Sequence, residues 1–565
     1  VPLESHRRIV KALTSRGYNA DREAVTLLAN APDSALALEA VLDYAPDDAF
    51  VITVEHVRAT LDGGAAPDPS ADTADTDTTA ADSVDTDTTA ADATASDTSP
   101  ARADPQPPVG TEPTTTADPQ ADPSVSTATD SPKSIDTTTE TPEATDSSPV
   151  ETKGSGSGRI GSRTPTPAEI VGDVTGQSTG TGEYTEFVNV FRDRYERLSK
   201  MLKGRVNHRP AEAIQKMPGG SDADMVGLVN DIRSTASGHW LVELEDTTGT
   251  FPCLVMKDRD FASMVDDMLL DECIAVSGTL SDDAGIMFVD AMHFPDVPRT
   301  HRPNTADRHV QAALISDVHV GSQEFAADAW ERFTSWLHTE EAEPVEYLLI
   351  AGDMVEGVGV YPNQDEELTI VDIYEQYEAF AERLKEVPGD MEIIMIPGNH
   401  DAVRLAEPQP AFDEELRDIM RAHDARFTGN PSTVTVEGVS VLMYHGVSLD
   451  EVIAELPADK ASYDEPHKAM YQLLRKRHVA PQYGGHTRIA PEEKDYLVIE
   501  DVPDVFHTGH VHKLGWGKYH NVVAVNSGCW QEQTDFQKSV NINPDYGYAP
   551  ILDLDTLEMT VRKFH

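Results

Sequence analysis

Apolar and polar positions change rhythm several times along the chain. Over residues 1–62, Ile9, Leu13, Leu27, Leu28, Leu36, Leu38, Val41 and Leu42 recur at roughly helical spacing, with breaks near Gly17 and Pro32. This predicts a small helical N-terminal module. From 63 to 182 the periodicity gives way to Asp, Thr, Ala, Ser and Pro, and one octamer occurs at 75–82 and again at 85–92. No aromatic side chain falls in 71–150. Burial there cannot offset the entropy of ordering, so a disordered acidic linker is expected. Periodicity returns at 183, where Phe187, Val190, Phe191, Tyr195, Leu198 and Leu202 mark an amphipathic helix.

Five short alternating runs follow, at 225–232, 239–244, 251–256, 272–278 and 286–291, with turns at Ala236-Ser237-Gly238 and 246–249. They predict a small closed β-barrel of the oligonucleotide-binding type, completing a domain over 183–300. Trp240 and Phe251 are candidates for stacking on bases, although packing in the barrel core is the favoured reading. Residues 305–565 alternate strand with helix. Runs rich in β-formers lie at 310–315, 347–350, 392–396, 439–444, 505–507 and 522–525, with helical stretches such as 325–337 and 370–384 between them. The whole is multidomain, ending in a layered α/β domain whose functional loops follow the carboxyl ends of strands.

Charge changes this picture. The chain holds 99 Asp+Glu against 44 Lys+Arg, a net of -55, of which -15 lies in 71–150 and -40 elsewhere. Acidity spread over folded parts suits a salt-adapted, halophilic protein. The Debye length is about 3 Å at 1 M salt, so such a surface repels DNA only at short range, while counterion-driven binding is largely lost. Contacts to nucleic acid would rest on metal–phosphate ligation, stacking, short-range pairs or a partner subunit. The run Arg475-Lys476-Arg477-His478 is unusual here and reads as a DNA-facing or subunit-facing patch, unless it only complements a helix C-terminus. Cys253, Cys273 and Cys529 form no CxxC pair, which argues against a disulfide framework or a thiolate zinc site. Val1-Pro2-Leu3-Glu4 lacks a signal pattern and no apolar run reaches 18 residues. A soluble, cytoplasmic, nucleoid-associated protein without membrane contact is expected.

The candidate chemistry sits after the apolar runs of the last domain. Asp317-Val318-His319 follows 312–315, and in an extended segment residues two apart would point the same way, toward one ion. Gly352-Asp353, Gly398-Asn399-His400-Asp401, His445-Gly446 and Gly509-His510-Val511-His512 occupy comparable places. A Gly-Asp turn or a buried histidine is ordinary by itself. Five such motifs at successive strand ends point to a two-metal phosphoesterase. Arg404, His486 and Arg488 are candidates for contacts to phosphate, with surface salt bridges as the alternative for the arginines.

This set closely resembles the calcineurin-like metallophosphoesterases. The resemblance implies that Asp317, His319 and His512 hold one ion and that Asn399, His445 and His510 hold the second, with Asp353 bridging. It also implies two divalent metal ions, Mn²⁺ first, with Mg²⁺, Zn²⁺ or Fe as alternatives. His400 is then the group that protonates the leaving oxygen or stabilises the phosphate, and Asp401 the group that orients His400. The order of modules, with Gly352-Asp353-Met354-Val355-Glu356-Gly357 and Gly484-Gly485-His486-Thr487-Arg488, further resembles the small subunits of archaeal D-family DNA polymerases. That implies a 3′-to-5′ proofreading exonuclease acting on single-stranded or frayed 3′ DNA ends, beside a large catalytic subunit and with the sliding clamp. A standalone DNA-repair nuclease and a non-catalytic polymerase scaffold are the competing readings.

Overall fold

The computed structural model describes residues 163–177, 184–361, 364–539 and 542–565, together with short pieces between 19 and 58. The N-terminal pieces include the helix α1 (Arg22–Ala29) and the two-residue strands β1 (Asn19–Ala20) and β2 (Val51–Ile52), which pair in parallel. Ala24, Val25, Leu28, Leu38, Val41, Ile52 and Val57 form their core. A small helical module was expected; its described pieces hold the helix α1 and this strand pair. Ile9, Leu13, Leu36 and Leu42 lie outside the described residues.

The linker expected to reach 182 ends sooner. Arg163 is buried, donating to the carbonyls of Leu337 and Ala342, and the strand β3 (Glu169–Val171) joins a sheet of the last domain. Ala168, Ile170 and Val174 supply the buried apolar surface that the preceding Thr and Asp tract lacks. Residues 63–162 lie outside the described set.

Next comes the helix α2 (Tyr184–Leu202), whose Tyr195, Leu198 and Leu202 pack on Val226, Cys273 and Ala275 of the barrel. The barrel closes in the order β4 (Asp222–Ser234), β5 (Trp240–Asp246), β6 (Gly249–Val255), β8 (Met287–His293) and β7 (Cys273–Leu280), which pairs back on β4. Only β6 and β8 pair in parallel within it. Alternate residues Phe251, Cys253 and Val255 point inward, as the two-residue strand period requires. Phe251 is a core residue and Trp240 packs partly buried against the same core, so both aromatic residues serve the barrel.

The last domain is built on two six-stranded sheets. The first runs β12 (Arg426–Phe427), β11 (Glu392–Ile396), β10 (Val345–Ala351), β9 (Gln311–Ile315), β18 (Tyr548–Asp553) and β19 (Glu558–Lys563). The second runs β16 (Leu514–Tyr519), β17 (Val522–Ser527), β15 (Val505–Thr508), β14 (Val439–Met443), β13 (Ser432–Val436) and β3. Ala312, Leu314, Leu349, Ile394 and Ile396 share one core with Val434, Val441, Met443, Val523 and Val525, so the sheets meet face to face. Their alternate neighbours point outward. Ala313, Ile315, Leu348 and Ile350 pack with the helices α3 (Ala327–Leu337), α4 (Ile373–Leu384) and α5 (Glu414–Ile419). Leu442, Phe506 and Ala524 pack with α6 (Ser448–Glu455) and α7 (Pro466–Lys476). The result is four layers, with both central sheets buried on two faces. Among the described residues no helix is long and apolar enough to cross a membrane.

The basic run at the end of α7 is not an exposed patch. Arg475 pairs with Asp267 at 2.9 Å and Lys476 with Glu272 at 3.1 Å, both carboxylates lying between β6 and β7 of the barrel domain. Arg477 donates to the Ile499 carbonyl and His478 contacts Asp495, itself paired with Arg194 of α2. Arg475 and Lys476, with the Arg194–Asp495–His478 contacts, bind the barrel and its leading helix to the four-layered domain.

Candidate metal centre

Strands β9, β10, β11, β14 and β15 each end in a loop carrying one expected motif, and parallel pairing places those ends side by side. The loops then turn sharply. Asp317, His319, Asp353, His510 and His512 have φ between +53° and +72°, the left-handed region that side chains other than glycine rarely adopt. The Asp317–His319 segment is therefore not extended. Successive left-handed turns, rather than strand periodicity, bring its two side chains to one point. Five such residues in one place store backbone strain that the surrounding hydrogen bonds hold.

The expected ligands converge in two groups. In the first, His512 Nε2 lies 3.4 Å from Asp317 Oδ1, and His319 Nε2 lies 3.0 Å from His512 Nε2. In the second, His445 Nε2 lies 3.1 Å from Asp353 Oδ2 and 3.0 Å from Asn399 Oδ1, with His510 completing the cluster. Asp353 Oδ2 is also 3.8 Å from His319 Nε2, so this carboxylate stands between the groups. Asp317, His319, Asp353, His445 and His512 are buried, and Asn399, His400 and His510 are half-buried.

Glycines make the convergence possible. A Cβ on Gly398 would lie 2.2 Å from Asp353 Oδ1, one on Gly509 2.2 Å from Asp317 Oδ2, and one on Gly352 2.4 Å from His445 Nδ1. Each clash would displace an expected ligand.

Every one of the four imidazoles has one nitrogen anchored outside the cluster. His319 Nδ1 meets Glu356 Oε2 at 2.9 Å, and His445 Nδ1 donates to the Ala351 carbonyl at 2.8 Å. His510 Nε2 meets Asp450 Oδ2 at 3.1 Å, and His512 Nδ1 lies 2.9 Å from the Gln537 amide. For His319, His445 and His510 a carboxylate or carbonyl accepts from the anchored nitrogen and leaves the other to face the cluster, the arrangement that outer partners give to metal-binding histidines. At His512 the Gln537 amide N–H donates to Nδ1 instead. Burial alone would lower His445, but Asp353 outweighs it and holds the imidazole up at about 10. Burial would likewise raise Asp353, but His445 and His400 keep its carboxyl well below the usual range. These carboxylates demand positive charge. Four imidazoles with carboxylate and amide oxygens and no thiolate form a donor set that fits divalent cations of the Mn²⁺ to Zn²⁺ series.

His400 lies beside the first group, its ring centroid 4.8 Å from that of His319. Its Nδ1 is 2.7 Å from the Glu356 carbonyl, which accepts from it and leaves Nε2 free to act. Asp401 does not orient this ring, contrary to expectation. Its carboxylate accepts from the backbone N–H groups of Gly398, Asp353 and Met354 and from Tyr377 Oη, so it shapes the loop instead. Burial and the adjacent Asp353 push Asp401 up to about 7.

The softer candidates separate. Arg404 pairs with buried Glu492 at 2.7 Å and donates to the Pro408 carbonyl at 2.9 Å, so it braces its own loop rather than offering a fork to phosphate. His486 and Arg488 are exposed, and His486 lies close enough to Asp450 to help hold that carboxyl down, after His510. Sequence reasoning did not single out Glu356, Asp450, Gln531 or Gln537 as supports. Glu356 stands within the motif at 352–357 and is buried. Its Oε2 accepts from Gln531 at 2.6 Å, and His319 holds the carboxyl down at about 2 although burial would raise it.

Residues 312–514 match the family model for the B subunits of DNA polymerases alpha and epsilon. The chain is 62% identical over 564 residues, covering 100% of both chains, to the DNA polymerase II small subunit of Halobacterium salinarum. It is 44% identical over 391 residues to that of Archaeoglobus fulgidus, covering 68% of this chain and 78% of that one. For Methanocaldococcus jannaschii the identity is 42% over 393 residues, covering 68% and 66%. Likenesses to solved structures are slight, such as asparaginyl-tRNA synthetase from Pyrococcus horikoshii at 11% identity, covering 16% of this chain and 23% of that one with a TM-score of 0.15. Full-length identity at this level means that the chain belongs to the family of archaeal DNA polymerase II small subunits, of the D-family.

Proposed function

We propose that this chain is a metal-dependent phosphodiesterase, the 3′-to-5′ proofreading exonuclease of the polymerase, and a scaffold for its large catalytic subunit. The observation that carries the reading is the set of four imidazoles turned inward around Asp317 and Asp353, each anchored through its other nitrogen. Two buried sheets with helices on both outer faces support a calcineurin-like domain. The strand order of the barrel supports the oligonucleotide-binding type.

Asp317, His319 and His512 would hold one ion, Asn399, His445 and His510 the other, and Asp353 both, with Mn²⁺ the first choice. Ions bound there would neutralise phosphate charge and activate water for in-line attack. The chain's own residues do the rest. Glu356 and Asp450 fix the rings of His319 and His510, so the ligand nitrogens need not reorganise when phosphate arrives. Protonated His400, held through Nδ1, gives its Nε2 proton to the 3′ oxygen as the P–O bond breaks and the new bond to water oxygen forms. Only an unpaired end enters the cleft, and a mismatched terminus costs less to unpair.

The test is co-purification with the large subunit from a high-salt lysate, then assay on matched and mismatched primer ends with and without Mn²⁺. Removal of mismatched termini that needs the metal is the expected result. Asp353→Ala should end hydrolysis and leave subunit association intact. Full activity in that variant would refute the two-metal reading, and lost association would make the site structural.

A further inference from the structure

An aromatic pair stands at the edge of the proposed centre, contributed by segments far apart in sequence. Tyr361 and Phe536 stack with ring centroids 5.3 Å apart and an interplanar angle of 24°. Tyr361 also lies edge-on to His400, 6.3 Å between centroids. Phe536 keeps 48% of its surface exposed, and Val358 and Val360 are exposed in the loop that carries Tyr361. A single exposed apolar side chain needs no explanation. A stacked pair tied on both sides to the same group of expected ligands is different.

The ties are direct. Tyr361 Oη donates toward Glu356 Oε1 at 3.1 Å and Glu367 Oε2 at 3.2 Å, and Glu356 holds His319 through its other oxygen. Phe536 precedes Gln537, whose amide lies 2.9 Å from His512 Nδ1. Both rings are thus set in position relative to Asp317, His319 and His512. The remaining groups at this edge do not favour phosphate: Glu367 is acidic, and Lys538 pairs with Asp535. What the edge offers a nucleotide is a π-face.

We propose that the Tyr361–Phe536 pair receives the base of the 3′-terminal nucleotide by stacking, with Phe536 as the contact ring and Tyr361 as its backing. This deepens the exonuclease reading and rests on it. Every base has a π-face, so such a contact accepts any of the four nucleotides, as removal of misincorporated residues requires. Stacking is short-ranged and survives the screening that molar salt imposes on ionic contacts. It also requires an unpaired terminal base, which favours frayed ends.

The experiment uses the full chain with its large subunit, loaded with Mn²⁺, in molar salt. Two single-stranded oligonucleotides differ only at the 3′ terminus, one ending in thymidine and the other in an abasic tetrahydrofuran residue. A third carries a 3′-terminal 2-aminopurine, whose fluorescence falls on stacking. The native protein should prefer the base-bearing end by roughly 10-fold in kcat/KM and quench 2-aminopurine. Phe536→Leu, which keeps apolar bulk without a ring, should bring the preference toward one and abolish the quench, while Phe536→Trp should keep both. An unchanged preference or quench in Phe536→Leu overturns the proposal. Quenching that depends on Phe536 without cleavage of any end would uphold the stacking contact and overturn the hydrolytic reading instead.

Discussion

His400 Nδ1 lies 2.7 Å from the backbone carbonyl of Glu356, while the Asp401 carboxylate is occupied by the amides of Gly398, Asp353 and Met354. The Glu356 carbonyl fixes the ring's orientation and its Nδ1–H, and the same residue's carboxylate lies 3.9 Å from Nδ1. His400→Ala should therefore remove proton delivery and leave the expected ligands in place. We expect kcat on mismatched ends to fall by roughly 100-fold or more, with bound metal per chain unchanged by elemental analysis. A parallel loss of metal would make His400 a ligand or its support.

Gly509 has no room for a side chain, because its Cβ would lie 2.2 Å from Asp317 Oδ2 and 2.4 Å from Ser316 Oγ. Gly509→Ala should push Asp317 away from His512 and His319. Metal stoichiometry should fall from two toward one per chain, and hydrolysis should drop with it. Retention of both ions would show that the loop yields without cost to the cluster.

Much of this arrangement was legible in the sequence, because its signals are local. Barrel strands β5, β6 and β8 alternate in burial, and 347–351 and 393–396 within β10 and β11 are continuous apolar runs leading to Gly352-Asp353 and Gly398-Asn399. Several strands went unread; β13 does alternate Thr with Val, while three others lack such signals. β16 contains two glycines, β19 is largely exposed, and β3 sits within a Thr- and Pro-rich tract. The supports of the histidines were invisible for another reason. Glu356 meets His319 and Gln537 meets His512 only because loops with left-handed residues fold back, and no periodicity encodes that return. The basic run at 475–478 misled because charge suggests solvent, whereas here buried carboxylates answer it.

That last point is measurable. Lys476 and Glu272 pair at 3.1 Å with both side chains fully buried, and Lys476 Nζ also donates to the Asp267 carbonyl at 2.7 Å. Burial pulls each partner toward its neutral form, and their attraction opposes it. Lys476→Met leaves Glu272 unpaired and should cost roughly 3–5 kcal/mol of stability. Adding Glu272→Leu should restore most of it. Denaturant unfolding in molar salt checks both, since a buried pair is little screened. Equal stability of the single and double variants would mean that the pair does not join the two domains.

Glu407 gives a pH dependence whose sign can be worked out. It is buried, its Oε2 accepts from Tyr444 Oη at 2.9 Å, and burial pushes its carboxyl from 4.5 up to about 7, against the weaker pull of Tyr444 and the charge of His445. The folded state thus keeps a proton that the unfolded chain releases near 4.5. The stability it contributes is present in full below 4.5 and is lost as pH rises toward 7, about 3 kcal/mol at most. Glu407→Gln mimics the neutral acid and still accepts from Tyr444. It should match the native protein below pH 4.5 and exceed it in stability above pH 7, with the gap opening between those values. The difference between the two proteins cancels the titration of groups remote from Glu407. Parallel stability curves for native protein and variant from about pH 4 to 8 would show that Glu407 is ionised in the fold, with a cation close enough to keep it so.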